Sequence, residues 1–296
     1  MSDLFARLLA ELSPDLQAIG QKAVDSGLPA KRLIRVVPQK TLSVSLSGLS
    51  CEQNCAHCNG HYLSGMTDLK KLSQIDLNRY NSLLVSGGSN CEGAVPLAEH
   101  EDFLCKLPEH LELNVHPGFQ PAERLLFLKK RKTTVSFDLP VSDWVIQQVF
   151  RLKHKTEDYR NLLNDYLNHF HTVPHVTIGL EPDGQDHEMQ SFDFLSQQAI
   201  EKAVIIVFRP TPGTELHVQP APSVKKAIEV VAYAIKILKC PVSIGCMRPA
   251  GIYRREFDIL AWLHGCEAFV QPDHSLLEIL EEFHMDVLKK HDCCCL

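Results

Sequence analysis

Basic charge is the first thing this sequence lacks. Across 296 residues, 30 Lys and Arg face 36 Asp and Glu, a formal net charge of −6. Such a chain offers no broad positive surface to a phosphate backbone, so a nucleic-acid partner is not expected. Long apolar runs are also missing: no stretch suffices to cross a bilayer, and no membrane partner is expected. The opening segment, MSDLFARLLAELSPDLQAIGQKAV, is amphipathic and interrupted by charges, without the apolar core of a secretory signal. A cytoplasmic location is therefore the expectation. No low-complexity segment, linker or repeat divides the chain. Its composition, 45% hydrophobic and 22% charged, suits a soluble globular protein with a sizeable core. Cysteine, by contrast, is plentiful. Eleven cysteines, odd in number and clustered, do not read as a disulfide framework in the cytosol and point to metal or redox chemistry.

Short β-branched or apolar runs lie near 42–47, 82–86, 111–115, 133–137, 175–180, 203–208, 241–245 and 267–270. Amphipathic stretches such as ERLLFLKKR, SFDFLSQQAIEKA and SVKKAIEVVAYAIKILK separate them. This alternation predicts an α/β fold, a parallel (β/α)8 TIM-type barrel. The expected organisation is an N-terminal helical extension at 1–40, with one outer helix over roughly 2–26, a barrel at 41–290 and a Cys-rich tail at 291–296. Barrel active sites gather at the carboxyl ends of the strands. The segments that follow strands are therefore the candidates: the loop after 47, then SGGSN, HPGFQ, Asp138, EPDGQ, RPTPGTE and CMRPAGIYRR.

The segment LSVSLSGLSCEQNCAHCNG (42–60) runs from a strand straight into Cys51, Cys55 and Cys58. Three thiolates can grip one metal centre but leave a closed tetrahedral site one ligand short. One reading is a zinc loop completed by His57 or His61. The other is an iron–sulfur cluster, for which thiolates are the usual ligands, with one iron left open to a small molecule. The C-x3-C-x2-C spacing after a first barrel strand resembles the radical SAM superfamily. That resemblance implies a [4Fe-4S] cluster on Cys51, Cys55 and Cys58, S-adenosylmethionine chelated at the open iron, and an electron donor of flavodoxin or ferredoxin type. In that family an electron cleaves the sulfonium, and the 5′-deoxyadenosyl radical takes hydrogen from an unactivated carbon. Ser86, Gly87, Gly88 and Ser89 stand where the superfamily carries a glycine-rich segment toward the methionyl amine, with Ser89 and Asn90 in place of the usual glutamate. His57 takes the place of an aromatic residue near the adenine, and Glu181 matches a residue used toward the ribose or amino end. From strand-end position alone, Asp138, Arg209 and Arg248 are read as catalytic residues facing the substrate; salt-bridged rim residues are the other reading.

Over most of the chain the resemblance narrows to biotin synthase and its relatives. SFDLPVSDWVIQQVFRLKHKTEDYRNLL, GLEPDG, RPTPGTEL and MRPAGIYRREFDILAWLHGCEAF are similar, in order and spacing, to their fourth to seventh strand exits. One departure matters. Biotin synthases hold a sacrificial second cluster on strand cysteines, whereas the third strand here offers Asn114 and His116 and the fifth offers Thr177. Cys105, Cys240 and Cys266 read as small buried core residues. Cys91, Cys246 and the closing Cys293, Cys294 and Cys295 are the candidates for a second [4Fe-4S] cluster able to donate sulfide. This combination resembles the two-component lipoyl synthases. It implies sulfur insertion into an octanoyl chain on a carrier protein, with a homologous radical SAM subunit as partner. The alternatives are a single-cluster mutase or methylase of the biotin synthase-like group, and a non-catalytic iron–sulfur partner protein. A last helix over about 274–290 would leave the tail at the bottom of the barrel unless the helix breaks or the tail folds back.

Overall fold

A computed structural model describes residues 1–182 and 185–296; the Asp183 and Gly184 of the EPDGQ exit lie outside the described residues. The β-branched runs form strands β1 (Arg32–Val36), β2 (Thr41–Ser45), β3 (Thr67–Asp68), β4 (Ser82–Ser86), β5 (Glu112–Val115) and β6 (Thr133–Asp138). They continue as β7 (His171–Ile178), β8 (Ala203–Val207), β9 (Val242–Ile244), β10 (Ala268–Val270) and β11 (Asp286–Lys290). All pair in parallel, in the order β11-β1-β10-β9-β8-β7-β6-β5-β4-β2-β3. The eight expected strands are present as β2 and β4 to β10. With β1, β3 and β11 added, the sheet has eleven strands, not the eight of the (β/α)8 expectation. β1 pairs with β10 and β2 pairs with β4, yet only residues 37–40 separate β1 from β2. So short a link spans less than about 20 Å. The sheet therefore curls until its ends approach, a TIM-like wall around an interior.

Helices α1 (Ser2–Leu9), α2 (Pro14–Asp25), α3 (Glu101–Cys105), α4 (Thr156–His169), α5 (Gln185–Ser196), α6 (Val224–Ile237), α7 (Ile252–Leu263) and α8 (His274–Glu282) accompany the sheet. Two helical expectations are corrected. The N-terminal helix is two helices, because a residue before proline is pushed out of the helical region: Ser13 is extended, at φ −62° and ψ 152°. The last helix stops at Glu282 instead of about 290. His284 takes a left-handed φ of 55°, the Met285 N–H bonds the Leu280 carbonyl at 2.9 Å, and the His284 N–H bonds the Glu281 carbonyl at 3.1 Å. This is a Schellman-type cap built on histidine where glycine is usual. The chain then returns as β11, with Asp286 opposite Arg32 of β1. The Lys40 N–H donates to the His291 carbonyl at 2.8 Å, tying the end of β11 to the β1–β2 link.

Alternate residues of each strand face opposite ways. One set, including Leu83, Val85, Leu113, Val115, Val135 and Phe137, packs into the main core, each side chain stabilising by roughly 1.5–3 kcal/mol. The inward set departs from the branched aliphatics that fill ordinary barrels. It includes Ser82, Asn114, Ser136, His175 and Ser243, with Val173 and Val204 packed against the tail cysteines. Cys266 is buried and Cys240 half-buried, but Cys105 is exposed at the end of α3, against the expectation for it. Among the described residues no helix is long and apolar enough to cross a membrane.

Arg248, expected to face substrate, is instead a structural tie. It is 0% exposed, and its Nε and Nη2 each donate to Asp258 carboxylate oxygens at 2.7 Å. Its remaining donors reach the carbonyls of Gly245 (2.8 Å), Val270 (3.1 Å) and Gln271 (3.2 Å). All five N–H groups are used, leaving none for a ligand. Breaking a buried ion pair from one side strands the other charge. Arg248→Met is expected to lower unfolding free energy by about 3–5 kcal/mol, and adding Asp258→Leu should recover much of it. Chemical denaturation checks this; an unchanged midpoint in the single variant would contradict the assignment.

Candidate functional site

Cys51, Cys55 and Cys58 sit in an irregular loop beyond β2, turned by residues that tolerate left-handed backbone. Asn54 has φ 49°, Asn59 φ 45° and Gly60 φ 69°. The Cys55 carbonyl accepts from the Cys58 and Asn59 N–H groups at 3.1 and 2.9 Å, closing the turn between the second and third thiols. Three other strand exits brace the loop. The Ala56 N–H donates to the Val149 carbonyl at 2.8 Å, and the Leu216 N–H donates to the Ala56 carbonyl at 3.0 Å. Gln53 Nε2 donates to the Phe150 carbonyl at 3.0 Å, and the Glu52 N–H to the Ser89 carbonyl at 2.9 Å. Val149 ends a π-helical turn, Val145–Val149, of a kind frequent at functional sites.

The glycine pair after β4 serves this loop first. A Cβ on Gly88 would lie 1.9 Å from the Ser50 carbonyl oxygen and 2.6 Å from both Cα and Cβ of Cys51. The Gly88 N–H donates to Ser47 Oγ at 2.6 Å. Asn90 turns its side chain onto its own loop, accepting from the Glu92 and Ala94 N–H groups at 3.0 Å. Ser86 and Ser89 lie in the same stretch, partly accessible, with their carbonyls engaged by Leu46 and Glu52.

The electrostatics of the three thiols ask for a cation. Burial pushes the Cys55 thiol far above the ordinary range, and repulsion from Cys58 and Cys51 pushes it further. Cys58 is raised too, by burial first and then by Cys51 against opposing backbone hydrogen bonds. Their spacing selects among cations. Among the described residues, only His175, Cys294 and Cys295 form a trio of His, Cys, Asp or Glu donors whose ligand atoms all lie within 4.8 Å of one another. The sulfurs of Cys51, Cys55 and Cys58 do not all lie within 4.8 Å of one another, a spacing that suits a cluster better than one ion. The donor set fits a group held by three thiolates.

Below the loop runs a polar column. Asp138, at the end of β6, lies 3.8 Å from His116 Nδ1 and is paired across strands with His175. Burial works to raise the Asp138 pKa, but the nearby His116, helped by the charges of His175 and His57, leaves it lowered. Burial likewise opposes a charged His116, and Asp138 outweighs it, so His116 is raised. Asp138 lines open space, with its side chain more than half accessible, and the surrounding histidines outweigh the desolvation it feels. His57 packs against Phe150 with ring centroids 5.6 Å apart, and its buried Nδ1 has no hydrogen-bond partner. Tyr159, buried near both Asp138 and Cys55, joins this group. Glu181 accepts from Ser142 Oγ and lies 2.9 Å from His187 Nδ1. Arg209 is half-buried beyond β8, close enough to Arg254 for their like charges to interact.

The second-cluster candidates separate. Cys91 is exposed in its own loop, whereas Cys246 lies near enough to Cys293 for that charge, after burial, to raise its thiol. Cys293, Cys294 and Cys295 are inside the sheet, against Asn114, Ser136 and His175. His175 and Tyr159 were not foreseen as site residues. Inward polar positions at every second strand residue were the available signal. An open apolar groove of about 740 Å³, lined by Met189, Tyr233 and Lys236 among others, lies on the outer helix layer and holds none of these groups.

No family model matches the chain, and no curated protein matches it. Among solved structures it is similar to a methylornithine synthase, PylB, with a TM-score of 0.60 and 12% identity, covering 97% of this chain and 93% of that one. HydG, a maturase of the [FeFe]-hydrogenase, aligns with a TM-score of 0.62 and 14% identity over 97% of this chain and 71% of that one. HydG from Carboxydothermus hydrogenoformans gives 0.61 and 14% over 97% and 75%. At these identities the likeness is one of fold.

The close approach at Gly88 generates a test. Gly88→Ala is expected to displace the cysteine loop and lower iron bound after anaerobic reconstitution by more than half. Its stability cost should stay within the roughly 1–3 kcal/mol of overpacking. Gly87→Ala, whose Cβ would meet Ser47 and Leu46 only at 3.1–3.4 Å, should retain most of the iron. Full iron loading in Gly88→Ala would contradict the bracing role.

Proposed function

We propose that this chain is a radical SAM enzyme. The observation that carries the reading is the loop of Cys51, Cys55 and Cys58, braced at the carboxyl ends of the strands with its sulfurs at a spacing that suits a cluster better than one ion. The fold shared with a methylornithine synthase and a hydrogenase maturase supports it. When bound, a reduced [4Fe-4S] cluster with S-adenosylmethionine supplies reductive cleavage of the sulfonium and hydrogen abstraction from an unactivated carbon.

The chain's own residues supply everything around that chemistry. Three thiolates hold the cluster, and the carbonyl of Val149 and the N–H of Leu216 hold the thiol loop in place. Gly88 lies against Cys51, and the polar groups of Ser86, Gly87, Gly88 and Ser89 would meet the cofactor's amine there. The unpartnered Nδ1 of His57 would hydrogen-bond a purine edge, and Glu181, held by Ser142 and His187, would accept from a hydroxyl or amine. Asp138 and His116 present a carboxylate and an imidazole to the substrate in the interior, and Arg209 offers a cation beyond β8. The enclosing wall excludes water and stray hydrogen donors. A flavodoxin- or ferredoxin-type protein in the cytosol would supply the electron.

A second, finer reading is sulfur insertion, as one component of a two-protein lipoyl synthase with a homologous subunit and an octanoylated carrier protein as partners. One observation favours it: the tail thiols lie inside the sheet. It requires a sulfide-bearing cluster on them; the single-cluster mutase or methylase reading requires none, and a non-catalytic partner role predicts no cofactor cleavage at all.

Replacing Cys51, Cys55 and Cys58 together with alanine is expected to abolish 5′-deoxyadenosine release from S-adenosylmethionine under reducing conditions. Chromatography of quenched reactions measures it. Continued release by the triple variant would refute the proposal.

A further inference from the structure

The C-terminal tail carries a site that the chemistry at the strand ends does not use. Cys294 Sγ lies 3.7 Å from Cys295 Sγ and 3.9 Å from Cys293 Sγ, and Cys295 Sγ lies 3.4 Å from His175 Nε2. For a tetrahedral ion with bonds of about 2.3 Å to sulfur and about 2.0 Å to nitrogen, adjacent sulfurs stand about 3.8 Å apart and sulfur stands about 3.5 Å from nitrogen. The Cys294–Cys295 and Cys295–His175 separations match two edges of such a tetrahedron, and all three ligand atoms lie within 4.8 Å of one another. Thiolates on different irons of a four-iron cube are held apart by the cube itself, so sulfurs this close suit one ion better than a cluster.

The surroundings match a built site. His175 Nδ1 lies 3.1 Å from the Val173 carbonyl, which can only accept, so the proton is on Nδ1 and the Nε2 lone pair faces the thiols. Orientation of a ligating imidazole through its other nitrogen is the usual outer-shell device. Ser136 Oγ is 3.2 Å from Cys295 Sγ, and Asn114 Nδ2 donates to Cys293 Sγ at 3.1 Å. Ser136 Oγ is also 2.6 Å from Asn114 Oδ1, so the two supporting side chains hold each other. Lys202 Nζ donates to the Cys294 carbonyl at 2.9 Å and anchors the tail. Cys293, Cys295 and His175 are each at least nine-tenths buried.

We propose that His175, Cys294 and Cys295 bind a single thiophilic divalent metal ion inside the barrel. Soft thiolate and imidazole ligands in tetrahedral array select zinc or ferrous iron over magnesium or calcium. Binding releases the protons of Cys294 and Cys295, and two thiolates with a neutral imidazole balance the dication, so the buried centre carries no net charge. This site is independent of the cluster at Cys51, Cys55 and Cys58, and it departs from the expectation of a second four-iron cluster on the tail.

The test uses the full-length chain with Cys51, Cys55 and Cys58 replaced by alanine, kept reduced and anaerobic, and titrated with cobalt(II) followed by zinc(II). One equivalent of cobalt should bind with the visible absorption of a tetrahedral thiolate complex and be displaced by zinc. Cys294→Ser with Cys295→Ser, and separately His175→Ala, should each weaken binding at least tenfold in protein whose near-ultraviolet circular dichroism is unchanged. Cys293→Ser, which removes a thiol outside the trio, should keep both the one-to-one stoichiometry and the intensity of the thiolate-to-cobalt charge-transfer band. Absence of stoichiometric uptake by the folded triple-alanine protein would overturn the proposal. So would loss of about four irons and matching sulfide when the reconstituted wild-type chain is truncated after Asp292, which would place a cluster on these thiols. Neither result bears on cofactor cleavage at the mouth.

Discussion

Two backbones touch where Gly88 meets Ser50 and Cys51, and the mouth of this protein is organised by that contact. No side chain fits between them, since a Cβ there would sit 1.9 Å from a carbonyl oxygen. Because the contact is backbone to backbone, it fixes where Cys51 stands relative to β4. The Glu52–Ser89 and Ala56–Val149 hydrogen bonds then fix the rest of the loop against the exits of β4 and β6. The thiols are held together against their own repulsion, which burial strengthens by keeping Cys55 and Cys58 protonated in the absence of a cation. A site that raises thiol pKa values by burial and then by mutual repulsion is one in which a bound cation relieves that repulsion, with protons released in exchange.

The interior follows from a second constraint. β11 reverses the direction set by α8 and brings Cys293, Cys294 and Cys295 inside the sheet, and the inward faces of β4 to β9 are small or polar enough to receive them. The result is a vertical sequence of chemistry: thiols and His57 at the mouth, Asp138 between His116 and His175 beneath, and the tail sulfurs under His175. His175 belongs to both lower groups. Its Nε2 faces the tail while its ring lies 5.6 Å from that of His116, so occupancy of the tail site bears on the charge balance around Asp138.

Much of this was legible in the sequence, and the rest was not for identifiable reasons. The eight principal strands announce themselves as β-branched runs, and the mouth cysteines by spacing at a strand exit. The break at Ser13–Pro14 was readable from the proline alone. The break after Glu282 was not, because histidine at a left-handed cap position carries no glycine signal, and without it β11 and the tail's entry stay hidden. Arg248 has the position of a substrate contact, and only the fold reveals that Asp258, one helix away, takes its guanidinium. Asn114, Ser136 and His175 alternate with aliphatics on their strands, but periodicity cannot say which face looks inward when both faces are covered. The tail thiols were visible; their separation exists only in three dimensions.

The central claim is that Cys51, Cys55 and Cys58 hold a cluster with one iron open to S-adenosylmethionine. Electron paramagnetic resonance of the anaerobically reconstituted, chemically reduced full-length protein tests it most directly. The account predicts a reduced four-iron signal whose g-values shift when S-adenosylmethionine is added and which the tail cysteines do not influence. A signal indifferent to the cofactor, or one that persists after all three mouth cysteines are replaced, would contradict it.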